Sequence, residues 1–453
     1  MRILLIRPKR REQAITLGEF MFSEPLGLEC IYSVLKENHE VRIIDLMVKT
    51  HDLAQLCQEW RPHVVGITSL CIDVFAVRET ALEVKKIDSS IITMVGGTQA
   101  FFNPSAFFGY GIDYVFKYTT RENLSRLMDN LVRNRQETID GIYSFFDNFQ
   151  DAGKEGRNDC LVPDRSCTAH YRNSYSYFGY KPSALLQTSR GCSTHCSFCL
   201  RWRLEGPLEL HEPLEGIIQQ LKEINEPNIM VIDNDFLHDV RRLEDFINLL
   251  KKEKIQKKFI CYGSVKSIIN NKETIKDFSE VGLRAVLVGY ESFKGDELKE
   301  YKKGTTVDDS LRAARILKEL QIDCWASFIL DPDWDKQDFQ ELRKFIYRLS
   351  PEISSLVPLT PFPNTPLYAK YQDRLLFSSE DYDQWSFSVV SIRPSKLNLR
   401  SYYGEVLKTN LYVNFFSNNA AYMIRRFGSL TLIKMLFGSL KFGIKYTGLM
   451  LKG

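Results

Sequence analysis

Long apolar runs are missing from this 453-residue chain: no stretch of about 18 uncharged apolar residues occurs, so no membrane-spanning helix is expected. Cysteine is scarce. Ten residues, unevenly spaced, cannot frame the disulfide scaffold of a small secreted domain. Charge of neither sign dominates: 60 Lys+Arg stand against 57 Asp+Glu, for a net +3. A dedicated nucleic-acid binder would be more basic, so no nucleic-acid partner is expected. Repeats and low-complexity tracts are absent. The opening MRILLIRPKRREQ has an apolar run, Ile3–Ile6, too short for a signal-peptide core. A cytoplasmic location is therefore expected, with cysteines present as thiols or metal ligands.

What the chain does have is 44% apolar and 12% aromatic residues, enough for two or three cores. Low hydrophobicity with high net charge, the signature of disorder, is not present. Short apolar strands are read at Ile3–Ile6, Val41–Asp45, Val64–Thr68, Ile91–Val95 and Tyr114–Phe116, with helices between them. This alternation predicts a doubly wound parallel α/β domain over residues 1–135. Ligands of such sheets sit beyond the carboxyl ends of the strands, near a topological switch point. Residues 136–180 lose the pattern and read as a linker. A second alternation, with strands at Ala184–Thr188, Ile229–Asp233, Phe259–Tyr262, Ala285–Tyr290, Ile322–Leu330 and Ser354–Leu359, predicts a partial (β/α)6 barrel over 181–365. Residues 366–453 form a C-terminal helical region.

The sharpest motif is Ser189-Arg190-Gly191-Cys192-Ser193-Thr194-His195-Cys196-Ser197-Phe198-Cys199, after the first barrel strand. Three thiolates spaced C-x3-C-x2-C on one loop suit three irons of a [4Fe–4S] cube, leaving the fourth open to a small chelating molecule. Structural zinc needs four ligands, and His195 fits no common zinc spacing. A disulfide would leave an odd thiol.

This motif resembles that of the radical S-adenosylmethionine (SAM) enzymes. The resemblance implies that Cys192, Cys196 and Cys199 ligate the cluster and that SAM chelates the fourth iron. One-electron cleavage of SAM then gives methionine and a 5′-deoxyadenosyl radical. It also implies that Phe198 packs near the adenine. Val231-Ile232-Asp233-Asn234-Asp235-Phe236 stands where the family places polar groups facing the methionine moiety, which assigns Asp233 to SAM. Val288-Gly289-Tyr290-Glu291-Ser292 resembles the family's G-x-E-S element, which assigns Glu291 to the SAM ribose.

The domain ahead of the barrel resembles the cobalamin-binding domain of the family's cobalamin-dependent branch. The matching pieces are Glu24-Pro25-Leu26-Gly27-Leu28, Val41–Asp45, Val64–Thr68 and Val95-Gly96-Gly97-Thr98-Gln99. Ser69, Leu70, Gly96, Gly97, Thr98 and Gln99 are the implied cobalamin contacts, the glycines allowing close backbone approach. No D-x-H-x-x-G motif occurs, so no histidine is expected beneath the cobalt. The chain departs from the family after the fifth strand, where Phe116–Arg121 replaces an acidic stretch, and at Gly97-Thr98-Gln99, where G-G-P-H is common. A flavodoxin-like domain that has lost its ligand remains the alternative.

Leu161–Arg165, Tyr177–Pro182, Ala326–Asp333 and Leu359–Pro366 are similar to the branch that contains the hopanoid C-3 methylase. That resemblance implies a methyltransferase using cobalamin on an unactivated carbon of a terpenoid, lipid or other natural product. An electron donor such as flavodoxin or ferredoxin is implied as well. A cyclase or rearrangement enzyme without net methyl transfer, and a non-catalytic iron–sulfur or cobalamin carrier, stand as alternatives.

The tail bears on partners. Residues 406–453 carry seven Lys/Arg and no acidic residue, and this +7 leaves −4 for the rest. Lys434, Lys441, Lys445 and Lys452 recur on one helical face beside Leu432, Ile433, Leu436, Phe437, Leu440, Ile444 and Leu451. Two readings stand: a basic amphipathic helix at the inner membrane face, or a terminal helix docked on the barrel. Cys30, Cys57, Cys71, Cys261 and Cys324 read as packed small hydrophobes, and Cys160 and Cys167 receive no role.

Overall fold

The computed structural model describes residues 1–11, 21–149, 156–417 and 420–452. They divide into two compact units. The first holds residues 1–11, 24–149, 156–174 and 378–386; the second holds 21–23, 175–377, 387–417 and 420–452.

Apolar runs of four to six residues separated by amphipathic helices fold the first unit into a parallel sheet. Its strands are β1 (Arg2–Arg7), β2 (Glu40–Asp45), β3 (Val64–Thr68), β4 (Ile92–Gly96), β5 (Tyr114–Phe116) and β6 (Ile142–Ser144), in the order β2-β1-β3-β4-β5-β6. Only β6 runs antiparallel. The helices are α1 (Leu26–Leu35), α2 (Leu53–Trp60), α3 (Val74–Ile87) and α4 (Arg121–Val132). Strand alternation splits β1 between two cores: Leu4 and Ile6 pack on one face of the sheet, Ile3 and Leu5 on the other. The chain leaves β1 for β2 on one side and returns to β3 on the other, so the switch point lies between β1 and β3.

The segment read as a linker contributes β6, whose three residues are too few to leave a periodic signal. Its later part is fastened by buried charge. Glu24 takes Arg165 and Arg172, and Glu29 takes Arg172 and the Thr168 hydroxyl. Burial and the neighbouring Glu24 push Glu29 up to about 8, against the pull of Thr168 and the two arginines.

Residues 378–386 also belong to this unit, although they lie in the region read as a C-terminal helical domain. Tyr382 is buried in its core, edge-on to Phe75 at 5.6 Å and beneath the Arg78 guanidinium, and Arg11 holds Asp383 at 3.0 Å. Tyr382→Ala is therefore expected to cost about 3 kcal/mol of stability and Tyr382→Phe about 1 kcal/mol, read by chemical denaturation.

In the second unit, β7 (Ser183–Leu186), β8 (Asn228–Val231), β9 (Lys258–Gly263), β10 (Leu283–Glu291), β11 (Asp323–Leu330) and β12 (Ile353–Pro358) lie side by side in chain order, all parallel. Each is followed by helix, chiefly α5 (Leu214–Glu223), α6 (Val240–Lys252), α7 (Lys272–Val281), α8 (Val307–Glu319) and α9 (Lys336–Leu349). Among the described residues β7 and β12 are not paired, which makes a partial barrel of six βα units.

The C-terminal region holds α10 (Leu399–Tyr412), a short helix at Ala420–Phe427 and α11 (Ser429–Lys452). Tyr446 of α11 is buried, packs edge-on against Tyr403 at 5.2 Å and donates to the Ser388 carbonyl at 2.6 Å. Ile433, Leu440, Ile444 and Leu451, on the opposite face by helical spacing, are exposed, as is Lys445. The side chains of Lys434, Leu436, Phe437, Lys441 and Lys452 lie outside the described residues. Among the described residues no helix is long and apolar enough to cross a membrane.

Candidate functional site

The cysteine loop leaves the carboxyl end of β7, where barrel chemistry is expected. Its root, Ser189–Arg190, pairs antiparallel with Leu210–His211. Gly191 has φ +83°, and a Cβ there would stand 1.9 Å from the Leu208 carbonyl oxygen, so only glycine fits. His195, between the first two cysteines, adopts φ +51°. The loop then turns on backbone bonds: Cys192 N–H donates to the Gly206 carbonyl at 3.2 Å, and Cys199 N–H to the Cys196 carbonyl at 3.2 Å. Ser197 docks on the turn that follows β10, through its N–H to the Tyr301 carbonyl and its hydroxyl to the Glu300 carbonyl.

Cys192, Cys196 and Cys199 are half-buried free thiols. Burial pushes Cys196 up to about 11 and raises Cys199; the charges of the other two cysteines and of Glu291 add to the rise at Cys196, while Lys303 opposes it. The three sulfurs, Glu291 and Lys303 thus share one electrostatic neighbourhood. Arg201 N–H points at the Cys199 sulfur at 3.4 Å. Among the described residues no three Cys, His, Asp or Glu converge on a single metal ion. An iron–sulfur cube asks for something else: each thiolate takes its own iron, so the sulfurs stand apart around a common centre. Three thiols on one loop, with an N–H aimed at sulfur, fit that group.

Glu291 closes β10 with φ +63°, just after the ladder to β11 slips between Gly289 and Glu291. A bulge with a left-handed residue re-aims a side chain, and here it turns the Glu291 carboxylate to accept from Lys303 Nζ at 3.2 Å. Both groups are nearly buried. Lys303 has no motif of its own. It sits in Tyr301-Lys302-Lys303-Gly304, which reads as a solvated turn, and only the fold brings it to Cys196 and Glu291. Phe198 is half-buried and edge-on to Tyr301 at 5.6 Å, in a cluster with Ile329, Leu359 and Tyr371.

Asp233 is 1% exposed at the end of β8, and its oxygens accept from Thr188 N–H at 2.7 Å, the Thr188 hydroxyl at 2.6 Å and the Ser189 hydroxyl at 2.9 Å. Asn234 beside it donates to the Gly191 carbonyl at 2.7 Å.

In the first unit, the loops after β1, β3 and β4 gather at the switch point. Ser69 is buried, with its N–H and hydroxyl on the Gly96 carbonyl at 2.9 and 3.0 Å. Gln99 N–H returns to the Ser69 carbonyl at 3.3 Å, at the start of the short helix Thr98–Phe102. Gly97 has φ +106°, and a Cβ there would lie 2.6 Å from the Ser69 carbonyl oxygen. Arg10 reaches Asp73 at 3.0 Å, and Asp73 also accepts from Leu70 N–H at 3.2 Å. Leu70 itself is an exposed leucine at the strand ends. A glycine-floored ledge with an apolar side chain beside it fits a broad planar ligand.

The profile of the Radical SAM superfamily matches residues 186–346, and that of the B12 binding domain matches residues 21–127. The chain thus carries a B12 binding domain ahead of a radical SAM domain, the pairing of the cobalamin-dependent radical SAM enzymes. Its cofactors are a [4Fe–4S] cluster, SAM and cobalamin. Among relatives of this radical SAM enzyme, the hopanoid C-3 methylase of Methylococcus capsulatus is 27% identical over 397 residues, covering 86% of this chain and 76% of the relative. The anaerobic magnesium-protoporphyrin IX monomethyl ester cyclase of Cereibacter sphaeroides is 23% identical, covering 90% and 69%. The methyltransferase TsrM of Kitasatospora setae, solved with cobalamin and a [4Fe–4S] cluster bound, superposes with a TM-score of 0.63 at 16% identity, over 82% of this chain and 78% of that one. OxsB with aqua-cobalamin gives 0.68 at 18%, over 91% and 67%. These two likenesses establish the fold.

Proposed function

We propose that this enzyme methylates an unactivated carbon of an apolar substrate, a terpenoid or lipid. Cys192, Cys196 and Cys199 hold the cluster, Glu291 with Lys303 and Phe198 border SAM, and Ser69, Leu70 and Gly96–Gln99 border cobalamin. When bound, the reduced cluster supplies the electron that splits SAM, and cobalamin supplies the methyl group.

The observation that carries the substrate class is the inner wall of the half-barrel. Along β10, β11 and β12 the face turned away from the packed core carries Leu287, Gly289, Ser327, Ser355 and Val357, which are partly exposed, and Trp325 and Ile329, which are buried. Their neighbours Val286, Val288, Ala326 and Phe328 are buried in the core. Toward the carboxyl ends of the strands this wall is apolar or weakly polar until Glu291, which suits a substrate bound by shape rather than by charge. Similarity to the hopanoid methylase supports the same class.

Methylation consumes two SAM, so S-adenosylhomocysteine and 5′-deoxyadenosine should appear together, one of each per product, when the reconstituted enzyme is given reductant and a polycyclic terpenoid. Formation of 5′-deoxyadenosine without S-adenosylhomocysteine would favour cyclisation or rearrangement instead. A flavodoxin or ferredoxin is the reductant expected in the cell.

Gly289 gives a sharper handle on the SAM end. A Cβ there would stand 2.2 Å from Glu291 Oε1 and 3.3 Å from Lys303 Nζ. Gly289→Ala is therefore expected to push the carboxylate away and raise the KM for SAM on the order of tenfold, with iron content unchanged. An unaltered KM would remove Glu291 from the SAM site.

The exposed line Ile433, Leu440, Ile444 and Leu451 supports peripheral contact of α11 with an anionic membrane, since its region carries only positive charge. The intact chain should float with phosphatidylglycerol vesicles and a Leu440→Glu, Ile444→Glu double variant should not. Absence of wild-type flotation returns α11 to a docking role alone.

A further inference from the structure

The resemblance gave Asp233 to SAM, and the hydrogen bonds around it lead elsewhere. Its carboxylate is consumed from within the chain: three donors from Thr188 and Ser189 fill it, and it is buried beneath them. Thr188 and Ser189 are the root of the cysteine loop, three or four residues before Cys192. The same root is gripped from a second side. Arg242, on α6, donates to the Thr188 carbonyl at 3.0 Å and to the Glu212 carbonyl at 2.8 Å. Every polar group of Thr188 is thereby engaged, its N–H and hydroxyl by Asp233 and its carbonyl by Arg242.

We infer that Asp233 is a positioning residue for the cluster, which fixes with Arg242 where the cysteine loop springs from β7 and so where Cys192 stands relative to Cys196 and Cys199. The physical logic is that of a metal site's outer shell. A loop with a glycine at φ +83° and a histidine at φ +51° has little helical or strand bonding of its own. Its geometry must be imposed from rigid neighbours, and β8 and α6 are the rigid neighbours at hand. Asn234 continues the clamp by donating to the Gly191 carbonyl and to Glu205 at 2.8 Å, while Arg201 donates to Asn234 at 2.8 Å. The end of β8 thus serves the loop and not the methionine moiety.

This inference rests on the cluster reading, and its test separates the two. Full-length protein is reconstituted anaerobically, and iron per chain, the rate of iron loss to a chelator, the electron paramagnetic resonance spectrum of the reduced cluster and the Kd for SAM are measured, with melting temperature alongside. Failure of the wild type to hold iron would sink the cluster reading itself. Asp233→Ala and Thr188→Val are expected to lose iron on the order of tenfold faster than the wild type and to show an altered spectrum, with little change in melting temperature. Asp233→Asn should restore near-wild-type behaviour, because an amide oxygen still accepts from Thr188 N–H and the two hydroxyls can turn to accept from its NH2. The Kd for SAM should stay level in Asp233→Asn. The inference is overturned if iron loss from Asp233→Ala and Thr188→Val proceeds at the wild-type rate. It is equally overturned if Asp233→Asn keeps its iron but loses affinity for SAM, since a contact to the SAM ammonium needs the charge. Thr188→Val removes one hydroxyl only and decides the matter where Asp233→Ala does not fold.

Discussion

Cys196→Ala is expected to abolish 5′-deoxyadenosine formation from SAM while leaving cobalamin content at the wild-type level. The argument begins with the number of ligands. The loop offers three thiols, and removing the middle one leaves two protein bonds for a four-iron cube. Cys196→Ser keeps the shape but replaces a soft thiolate with a hard, poorly ionised oxygen, so it should fare little better. The ligated sulfur must also be a thiolate, and burial, with the neighbouring cysteine and Glu291 charges outweighing Lys303, holds Cys196 up near 11; iron would supply the positive charge that makes the thiolate stable. Cys324→Ala is the control. Its thiol lies in the barrel core against the Tyr290 hydroxyl at 3.3 Å, where truncation opens a cavity and costs stability without touching iron. Iron per chain and 5′-deoxyadenosine, measured anaerobically after reduction, separate the variants. A Cys196→Ala protein with full iron and undiminished 5′-deoxyadenosine would remove the cysteine loop from the chemistry.

The elements that sequence reading placed well are those whose residues announce their own period. Val64–Thr68 is apolar because a parallel strand is covered on both faces, Ala285–Tyr290 because one face packs on helices and the other lines the barrel interior, and helices of the second unit carry caps such as Thr306 with Asp309 or Asp335 with Asp338. What escaped was contact between groups distant along the chain. Ile142–Ser144 is too short to show a period, and Tyr382 belongs to a core assembled mostly from residues 4–115. Lys303 pairs with a glutamate twelve residues earlier only because a bulge reverses that side chain. Asp233 is the reverse case. Its position at a strand end was legible, but its role depended on two hydroxyl residues 44 and 45 positions away, which no spacing rule connects.

The first unit carries the second large effect. Gly97→Val is expected to lower cobalamin affinity by at least about tenfold, leaving iron content and SAM binding intact. Two penalties act together. A β-branched residue at φ +106° costs on the order of 1–3 kcal/mol in backbone strain. Its Cβ would also lie 2.6 Å from the Ser69 carbonyl oxygen and 2.9 Å from the Ser69 nitrogen, both main-chain atoms that cannot swing aside. Relief requires the loops after β3 and β4 to part, which breaks the Ser69–Gly96 and Gln99–Ser69 bonds that form the ledge. Gly96→Ala is the strain-free comparison. There the added Cβ meets only the Phe116 Cβ at an ordinary 3.6 Å within the protein and no positive φ is required, so the ledge keeps its bonds and cobalamin content falls only as far as the ligand itself approaches Gly96. Absorbance of bound cobalamin per chain after gel filtration reads both. Wild-type cobalamin content in Gly97→Val would mean that the ligand does not rest on this ledge, whereas a larger loss in Gly97→Val than in Gly96→Ala ties the ligand to the loops at the switch point.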